Sequence, residues 1–174
     1  MSCLIGYKAG NTFYLASDGA ATTEEGDIRP ILVKKIIRRG EYLIGFSGSV
    51  RTGQLLNEYY LPDPPEMIED FVEALKMNIT DAGCLITSEY GTVLTQNSFI
   101  VIYRDKMYEI LSDFQLNEVG GDFTAIGSGT AYAYGAMQVI QDLDLSPSDK
   151  LIKALDVVSK FQATVRPPHE VVKY

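Results

Sequence analysis

Apolar side chains in the first third of the chain come in short runs that are typical of β-strands. These runs are rich in β-branched and aromatic residues, and they occur at residues 4–8, 12–17, 31–38 and 42–47. A turn containing Gly10 joins the first two runs, and a turn containing Gly40 joins the last two. The pattern therefore predicts two β-hairpins separated by a polar loop at residues 19–29. Because the later runs are nearly continuous, both faces of those strands are expected to be covered.

After residue 50 the apolar spacing changes from that of strands to that of helices. One helix is predicted over residues 50–60. A second is predicted to begin at Asp63, since Pro64 suits the first helical position and Glu66 suits a capping box. The buried faces predicted for these helices are, first, Val50, Leu55, Leu56 and Tyr59 and, second, Met67, Ile68, Phe71, Val72 and Leu75.

The second half of the chain repeats this order of strands and helices. A hairpin is predicted at residues 98–103 and 107–111, and a short strand at residues 123–126. One helix is predicted from residue 130 to about residue 142, and another begins at Ser146, where a capping side chain precedes a proline. The buried face predicted for the last helix is Leu151, Ile152, Leu155, Val158 and Phe161.

Strands, two helices, strands, two further helices and one last strand predict an α+β fold. Two sheets packed face to face, each covered outside by a pair of helices, would bury every apolar face. We therefore expect a four-layer α-β-β-α sandwich. No internal repeat or low-complexity segment is visible, so residues 1–174 are expected to form a single domain.

Composition excludes several classes of function. A net charge of −8 argues against nucleic-acid binding, which needs a basic surface. Two cysteines and one histidine, His169, rule out a disulfide framework and a histidine-rich zinc site, and the chemistry is expected to need no imidazole. No apolar run reaches the roughly 20 residues that span a bilayer, and no signal peptide is visible. A cytoplasmic location without membrane contact is therefore expected.

Four segments of the chain resemble proteasome β-type subunits and the bacterial proteasome-like peptidase that docks on an ATPase ring. They occur in the family's order across nearly the whole chain. Asp18 follows Ser2 by sixteen residues, and Lys34 follows it by thirty-two, as in the family. The segments are the strand from Ser2, the motif at residues 15–19, Lys34-Lys35-Ile36 with residues 45–49, and residues 125–129 leading into residues 132–135.

This resemblance implies an N-terminal-nucleophile hydrolase. Ser2 would be the nucleophile once Met1 is removed, and its own free amine would be the base. A buried lysine, Lys34 or Lys35, would bias the amine and hydroxyl towards their deprotonated forms, and Asp18 would keep that lysine charged. The backbone N–H of Gly48 matches the oxyanion donor. Ser128 matches a serine that hydrogen-bonds near the amine.

Two assignments within this site stay open. Spacing from Ser2 selects Lys34, whereas a lysine followed by two β-branched residues selects Lys35, and strand alternation turns only one of them inwards. The local pattern favours Lys35, and both are kept as candidates. Cys3 is a rival nucleophile, although N-terminal trimming is expected to stop at Ser2, and its plainer interpretation is a buried side chain on the first strand.

The chain departs from the family at three points. Serine stands where the family usually has threonine, and the family's supporting Asp and Ser near the C-terminus are replaced by the segment at residues 166–170. Persistence of Met1 would leave Ser2 without a free amine. A non-catalytic assembly or scaffold subunit is therefore the alternative function, and a small-molecule amidase is a third.

The resemblance also implies the partners. Substrates would be polypeptides, and copies of the chain would assemble into a ring or helical homo-oligomer that encloses the sites. An ATPase unfoldase is a further expected partner. The implied chemistry needs no metal or organic cofactor.

Overall fold

The computed structural model describes residues 2–22, 27–29, 34–58, 61 and 67–174. Within these ranges the longer strands match the apolar runs of the sequence. The strands are β1 (Cys3–Ala9), β2 (Thr12–Ser17), β3 (Ala21–Thr22), β4 (Ile28–Arg29), β5 (Ile36–Arg39), β6 (Tyr42–Ser47), β7 (Leu85–Thr87), β8 (Val93–Thr95), β9 (Ser98–Tyr103), β10 (Lys106–Ile110), β11 (Leu116–Glu118), β12 (Phe123–Gly127) and β13 (Glu170–Lys173).

Two pairs of helices interrupt the strands. Their bounds in the described residues are α1 (Val50–Glu58), α2 (Ile68–Asp81), α3 (Thr130–Ile140) and α4 (Pro147–Phe161). The Ser146 side chain accepts a hydrogen bond from the Asp149 amide at 3.2 Å and caps α4 as predicted. Among the helices that the structure describes, we find none with the length and apolar character needed to cross a membrane.

The strands form two antiparallel sheets that face each other. One has the order β12-β1-β2-β13 and the other the order β11-β10-β9-β6-β5. Each sheet is built around a pair of highly apolar antiparallel strands, β1–β2 or β6–β9, so the central strands are buried on both sides. The small sheets β3–β4 and β7–β8 lie apart from these two.

Three separate apolar clusters show how the layers stack. The inter-sheet core includes Leu4 and Leu15 from the first sheet and Leu43 and Ile100 from the second. A second cluster joins the five-stranded sheet to α2, and a third joins the four-stranded sheet to α3 and α4. Three interfaces between four layers make an α-β-β-α sandwich, and the predicted fold class is confirmed. Each fully buried Leu, Ile or Phe in these clusters stabilises the fold by about 1.5–3 kcal/mol.

The predicted second helix includes Met67, but the structure places this residue just before the helix. Met67 has an extended backbone, with φ −129° and ψ 153°, and the helix begins at Ile68. The Asp70 carboxylate accepts a hydrogen bond from the Met67 amide at 3.1 Å, so the capping group lies after the predicted one. Asp63, Pro64 and Glu66 lie outside the described residues, as do residues 59–60 at the predicted end of the first helix and residues 30–33 of the predicted third strand.

Two side chains of the predicted buried face of α4 are exposed instead. Leu151, Leu155 and Val158 are fully buried, but Ile152 and Phe161 are 38% and 66% exposed. Ala154 is fully buried in the same cluster as Leu151, Leu155 and Val158. The ring of Phe161 stacks on that of Tyr132, at 5.6 Å between centroids. The short strands β3, β4, β7, β8 and β11 were not predicted, and β3 and β4 lie within the predicted polar loop.

Candidate active site

Ser2 lies at the start of the first sheet, immediately before β1, and only 4% of it is exposed. Met1 lies outside the described residues. The Ser2 carbonyl accepts a hydrogen bond from Ser128 Oγ at 3.2 Å. A Cβ added to Gly127 would lie 2.2 Å from the Ser2 carbonyl oxygen and 2.6 Å from Ser47 Oγ. The Ser2 peptide is therefore held between β12 and the end of β6.

Asp18 follows the last residue of β2 and is buried beside the start of β1. Its Oδ1 accepts a hydrogen bond from the Cys3 amide at 2.9 Å, and its Oδ2 accepts one from the Ala20 amide at 3.1 Å. The Asp18 amide in turn donates to the Cys3 carbonyl at 3.2 Å. These bonds tie the carboxylate to the residue that follows Ser2. They also satisfy a buried charge, which would otherwise be costly.

Lys35 brings a positive charge to the same place. Its Nζ lies 2.8 Å from Asp18 Oδ1 and donates to the Ala20 carbonyl at 2.6 Å. The side chains of Lys35 and Asp18 are only 4% and 0% exposed. Burial lowers the pKa of the Lys35 ammonium from its ordinary value, although the Asp18 charge and hydrogen bond act in the opposite direction. The pair is thus a buried, hydrogen-bonded ion pair at the end of the sandwich.

Lys34 lies in a different environment from Lys35. It is exposed, on the opposite side of the chain. Successive side chains of an extended segment point to opposite faces, so the structure brings one lysine to Asp18 and leaves the other in solvent. The count of residues from Ser2 assumes the family's loop length before this strand, and it selects the lysine that does not contact Asp18.

Gly48 directly follows β6 and adopts φ +120°, which favours glycine. A Cβ at this position would lie 2.0 Å from the Gln96 carbonyl oxygen, so no side chain fits. The next residue is also fixed, because the buried Asn97 donates from Nδ2 to the Ser49 carbonyl at 3.0 Å. The close approach of residues 96–97 therefore determines the path of the Gly48–Ser49 backbone.

Ser128 lies in the turn between β12 and α3. Besides its bond to the Ser2 carbonyl, its Oγ lies 3.1 Å from Thr164 Oγ1. Gln162 Nε2 donates to that same Thr164 oxygen at 3.2 Å. Thr164 belongs to the segment that follows α4, so two parts of the chain far apart in sequence meet at Ser128.

The segment at residues 164–169 also contacts the loop that carries Asp18. The Gly19 amide donates to the Arg166 carbonyl at 2.9 Å, and Pro168 packs directly on Gly19. Residues 166–170, which replace the family's supporting Asp and Ser, therefore lie against the candidate site. His169 points away from it, with Nε2 3.2 Å from Asp156 Oδ1 of α4.

Four groups around the site were not predicted from the sequence: Thr164, Gln162, Asn97 and the Ala20 carbonyl. Polar side chains often follow a helix or a strand. Nothing in the local sequence around Thr164, Gln162 or Asn97 distinguished them from others of this kind. Burial is the signal that would have found two of them, since Thr164 is 6% and Asn97 is 1% exposed.

Cys3 does not have the properties of a nucleophile. It is fully buried in the cluster beneath α3 and α4. Burial and the neighbouring Asp18 charge raise the pKa of its thiol to about 12, although Lys35 acts in the opposite direction. The thiol is therefore protonated at neutral pH. No cluster of three metal-ligating side chains occurs in the part of the chain that the structure describes.

Comparison with known proteins extends this description. No protein-family model matches the chain. It is 26% identical over 165 residues to the ATP-dependent protease subunit HslV of Petrotoga mobilis, covering 91% of this chain and 88% of that protein. The BPH structure of Thiobacillus denitrificans in complex with epoxomicin has a TM-score of 0.83 at 16% identity, over 99% of this chain and 97% of that one. Eukaryotic HslV from Trypanosoma brucei has a TM-score of 0.69 at 22% identity, over 98% of each chain.

Fold and sequence thus lead to the same group of proteins. The structural matches extend over both sheets and all the described helices, and the HslV match aligns nearly the whole sequence. The chain therefore shares the fold of these solved structures, and it is similar in sequence to a proteasome-like HslV protease subunit along nearly its whole length.

Proposed function

We propose that this chain is a proteasome-like peptidase that hydrolyses peptide bonds through an acyl-enzyme on Ser2, after removal of Met1. The observation that carries the proposal is the buried Lys35–Asp18 ion pair, at 2.8 Å, beside the residue that follows Ser2. Burying two charges costs free energy that an apolar pair would not. Buried ionisable groups with a specific charged partner cluster at functional sites.

The chemistry follows from a serine that carries its own amine. The neutral α-amine, whose ordinary pKa is about 7.7–8.0, takes the proton of Ser2 Oγ as that oxygen attacks the substrate carbonyl. The tetrahedral intermediate then expels the amine of the cleaved peptide, which receives the proton back. An ester on Ser2 remains. Water, activated by the same amine, hydrolyses the ester and restores the free hydroxyl.

Lys35 and Asp18 tune this reaction without joining it covalently. A buried positive charge favours the deprotonated forms of nearby groups, so it lowers the cost of forming the Ser2 alkoxide. Asp18 stabilises the charged form of Lys35 against the effect of burial. We assign Lys35, rather than Lys34, to this role because only Lys35 contacts Asp18.

Gly48 is proposed to supply the oxyanion donor. A backbone N–H stabilises developing negative charge best when it is oriented before the reaction begins. The packing of Gly48 on residues 96–97 provides that rigidity. Ser128 is proposed to act near the Ser2 amine, since its hydroxyl already contacts the Ser2 carbonyl.

Assembly and partners are proposed from the relatives. The Petrotoga relative is described as an ATP-dependent protease subunit. By analogy, copies of this chain would form a ring or helical homo-oligomer around the sites, polypeptides would be the substrates, and an ATPase would supply them unfolded.

Intact mass spectrometry with epoxomicin, the compound bound in the Thiobacillus complex, tests the proposal. The purified protein is expected to lack Met1 and to gain one epoxomicin adduct. Ser2→Ala should also lose Met1, because alanine is small, but should gain no adduct. Cys3→Ala should react like the unmodified protein. Retention of Met1 without an adduct would overturn the proposed activity.

A non-catalytic assembly subunit is the second candidate. The observation that favours it is that residues 166–170, which replace the supporting Asp and Ser expected from the resemblance, lie against the loop that carries Asp18. A protein that assembles into oligomers but neither reacts with epoxomicin nor cleaves unfolded polypeptides would support this candidate. Oligomeric state is measured by light scattering on the same samples.

A further inference from the structure

Three polar side chains form a continuous hydrogen-bonded chain that ends on Ser2. Gln162 Nε2 lies 3.2 Å from Thr164 Oγ1, which lies 3.1 Å from Ser128 Oγ, which lies 3.2 Å from the Ser2 carbonyl oxygen. The central member, Thr164, is 6% exposed. Gln162 directly follows α4 as its C-terminal cap, so the hydrogen-bonded chain starts at a helix terminus.

The chemistry of its two ends determines the direction of every bond. A carbonyl oxygen only accepts, so the single hydrogen of Ser128 is donated to the Ser2 carbonyl. Ser128 must therefore accept from Thr164. An amide NH₂ only donates, so Thr164 Oγ1 accepts from Gln162 while its own hydrogen is donated to Ser128. All three bonds point towards Ser2 and polarise one another in the same sense.

This direction determines what Ser128 can do next. The Ser128 hydroxyl donates its hydrogen to the Ser2 carbonyl, and one of its lone pairs accepts the hydrogen bond from Thr164. The remaining lone pair can only accept a hydrogen bond. A hydroxyl in that state, next to the first residue of the mature chain, favours the ammonium form of the amine, which is the form that arises when the amine takes the Ser2 proton.

We propose that Thr164 and Gln162 are positioning residues that orient Ser128 as an acceptor for the protonated Ser2 amine. This inference rests on the proposed function. It also gives a physical account of how the chain works without a carboxylate next to Ser128, because two neutral groups set the hydroxyl's direction. Neither group titrates at neutral pH, so the orientation does not change with pH in the unmodified protein.

The loop that carries Thr164 is held firmly enough for this role. Val165 is fully buried in the cluster beneath α3 and α4, and its amide donates to the Gln162 carbonyl at 3.1 Å. The Arg166 carbonyl accepts from Gly19 in the loop that follows Asp18. A shift of this loop would therefore disturb both the hydroxyl chain and the Asp18 loop.

The first test removes the hydroxyl of Thr164 and then restores it. Thr164→Val keeps the shape and loses the hydroxyl. It is expected to slow acylation by epoxomicin, and kcat for a peptide substrate, about tenfold, with KM unchanged, as for loss of one hydrogen bond. Thr164→Ser keeps the hydroxyl and is expected to stay within about twofold of the unmodified protein.

The second test reverses the direction of the chain. In Gln162→Glu an ionised carboxylate can only accept, so it draws the Thr164 hydrogen away from Ser128. Protonation restores a donor, so the ratio of variant to unmodified rate is expected to rise as pH falls towards the ordinary glutamate pKa of about 4.3. Gln141→Glu is the matched control. Gln141 is the C-terminal cap of α3, as Gln162 is of α4, and its side chain donates to the Gln138 carbonyl at 3.4 Å.

The outcomes separate this inference from the proposed function. A folded Thr164→Val protein that is acylated at the unmodified rate, or a Gln162→Glu ratio that is flat with pH, would overturn the positioning role and leave the peptidase proposal standing. An unmodified protein that is not acylated at all would overturn the proposed function, and the positioning role with it.

Discussion

Lys35 Nζ lies 2.8 Å from Asp18 Oδ1, and the two side chains are almost completely shielded from solvent. Lys34, the preceding residue, is exposed. Two adjacent lysines therefore have opposite surroundings, and each is the natural control for the other. The pair connects stability with the proposed chemistry, because the carboxylate that neutralises Lys35 is also hydrogen-bonded to the residue after Ser2.

Lys35→Met is expected to be strongly destabilising, whereas Lys34→Met is not. Removing Lys35 leaves the Asp18 carboxylate buried without its partner, which costs about 3–5 kcal/mol. A change at an exposed lysine typically stays within about 0.5 kcal/mol. Urea unfolding of the two variants measures the difference. Equal destabilisation would contradict the assignment of Lys35 to the buried position, and reaction with epoxomicin should be lost only in Lys35→Met.

The free energy of unfolding is expected to depend on Lys35 at alkaline pH. Because burial lowers the Lys35 pKa, the unfolded chain holds this proton more tightly between the lowered value and the ordinary 10.5. Stability contributed at this site therefore rises with pH through that window. The measurement is denaturant unfolding of the unmodified protein and Lys35→Met from neutral pH upwards.

Subtracting the unfolding free energy of Lys35→Met from that of the unmodified protein cancels most contributions from Cys3 and the surface groups. The resulting difference should increase as the pH approaches 10.5. A difference that shrinks over the same range would mean that Asp18 raises the Lys35 pKa by more than burial lowers it.

Gly48→Ala is expected to displace the backbone of the proposed oxyanion site. The steric clash adds to the strain that alanine suffers at a positive φ. The new Cβ would lie 2.0 Å from the Gln96 carbonyl oxygen, so the backbone has to move. Gly83 provides the control, since it has φ +67° and open space around its Cβ position. Gly83→Ala should cost only the backbone strain, about 1 kcal/mol. Acylation rate and thermal unfolding should both fall much further in Gly48→Ala, and matching losses would count against this role for Gly48.

The two cysteines are expected to differ sharply in reactivity. The Cys3 thiol is buried and has a pKa of about 12, whereas Cys84 is only partly buried. Because only a thiolate is alkylated at a useful rate, iodoacetamide at pH 8 should modify Cys84 and leave Cys3 intact until the protein unfolds. Peptide mapping by mass spectrometry distinguishes the two sites. Prompt modification of Cys3 in the folded protein would restore it as a rival nucleophile.

Much of the fold was predictable because local patterns carry it. The apolar runs that became β2, β6 and β9 were long and rich in β-formers, and the cap and proline at Ser146 marked the start of α4. Shorter elements such as β7, at Leu85–Thr87, were missed because three residues show no period. The exposure of Ile152 and Phe161 could not be predicted either, since the width of a buried helical face depends on how closely the helix approaches the sheet.

For the candidate site, sequence alone determined which residue types are available and in what order. It supplied a serine at position 2, an aspartate after the second strand, two adjacent lysines and glycines at tight turns. Only the tertiary structure decided that Lys35 and not Lys34 meets Asp18, and that Thr164 meets Ser128 across 36 residues. The physical reason is the sequence separation over which each kind of interaction acts. Propensity and periodicity act between residues a few positions apart, whereas hydrogen bonds between distant segments exist only after the two sheets and their helices have packed.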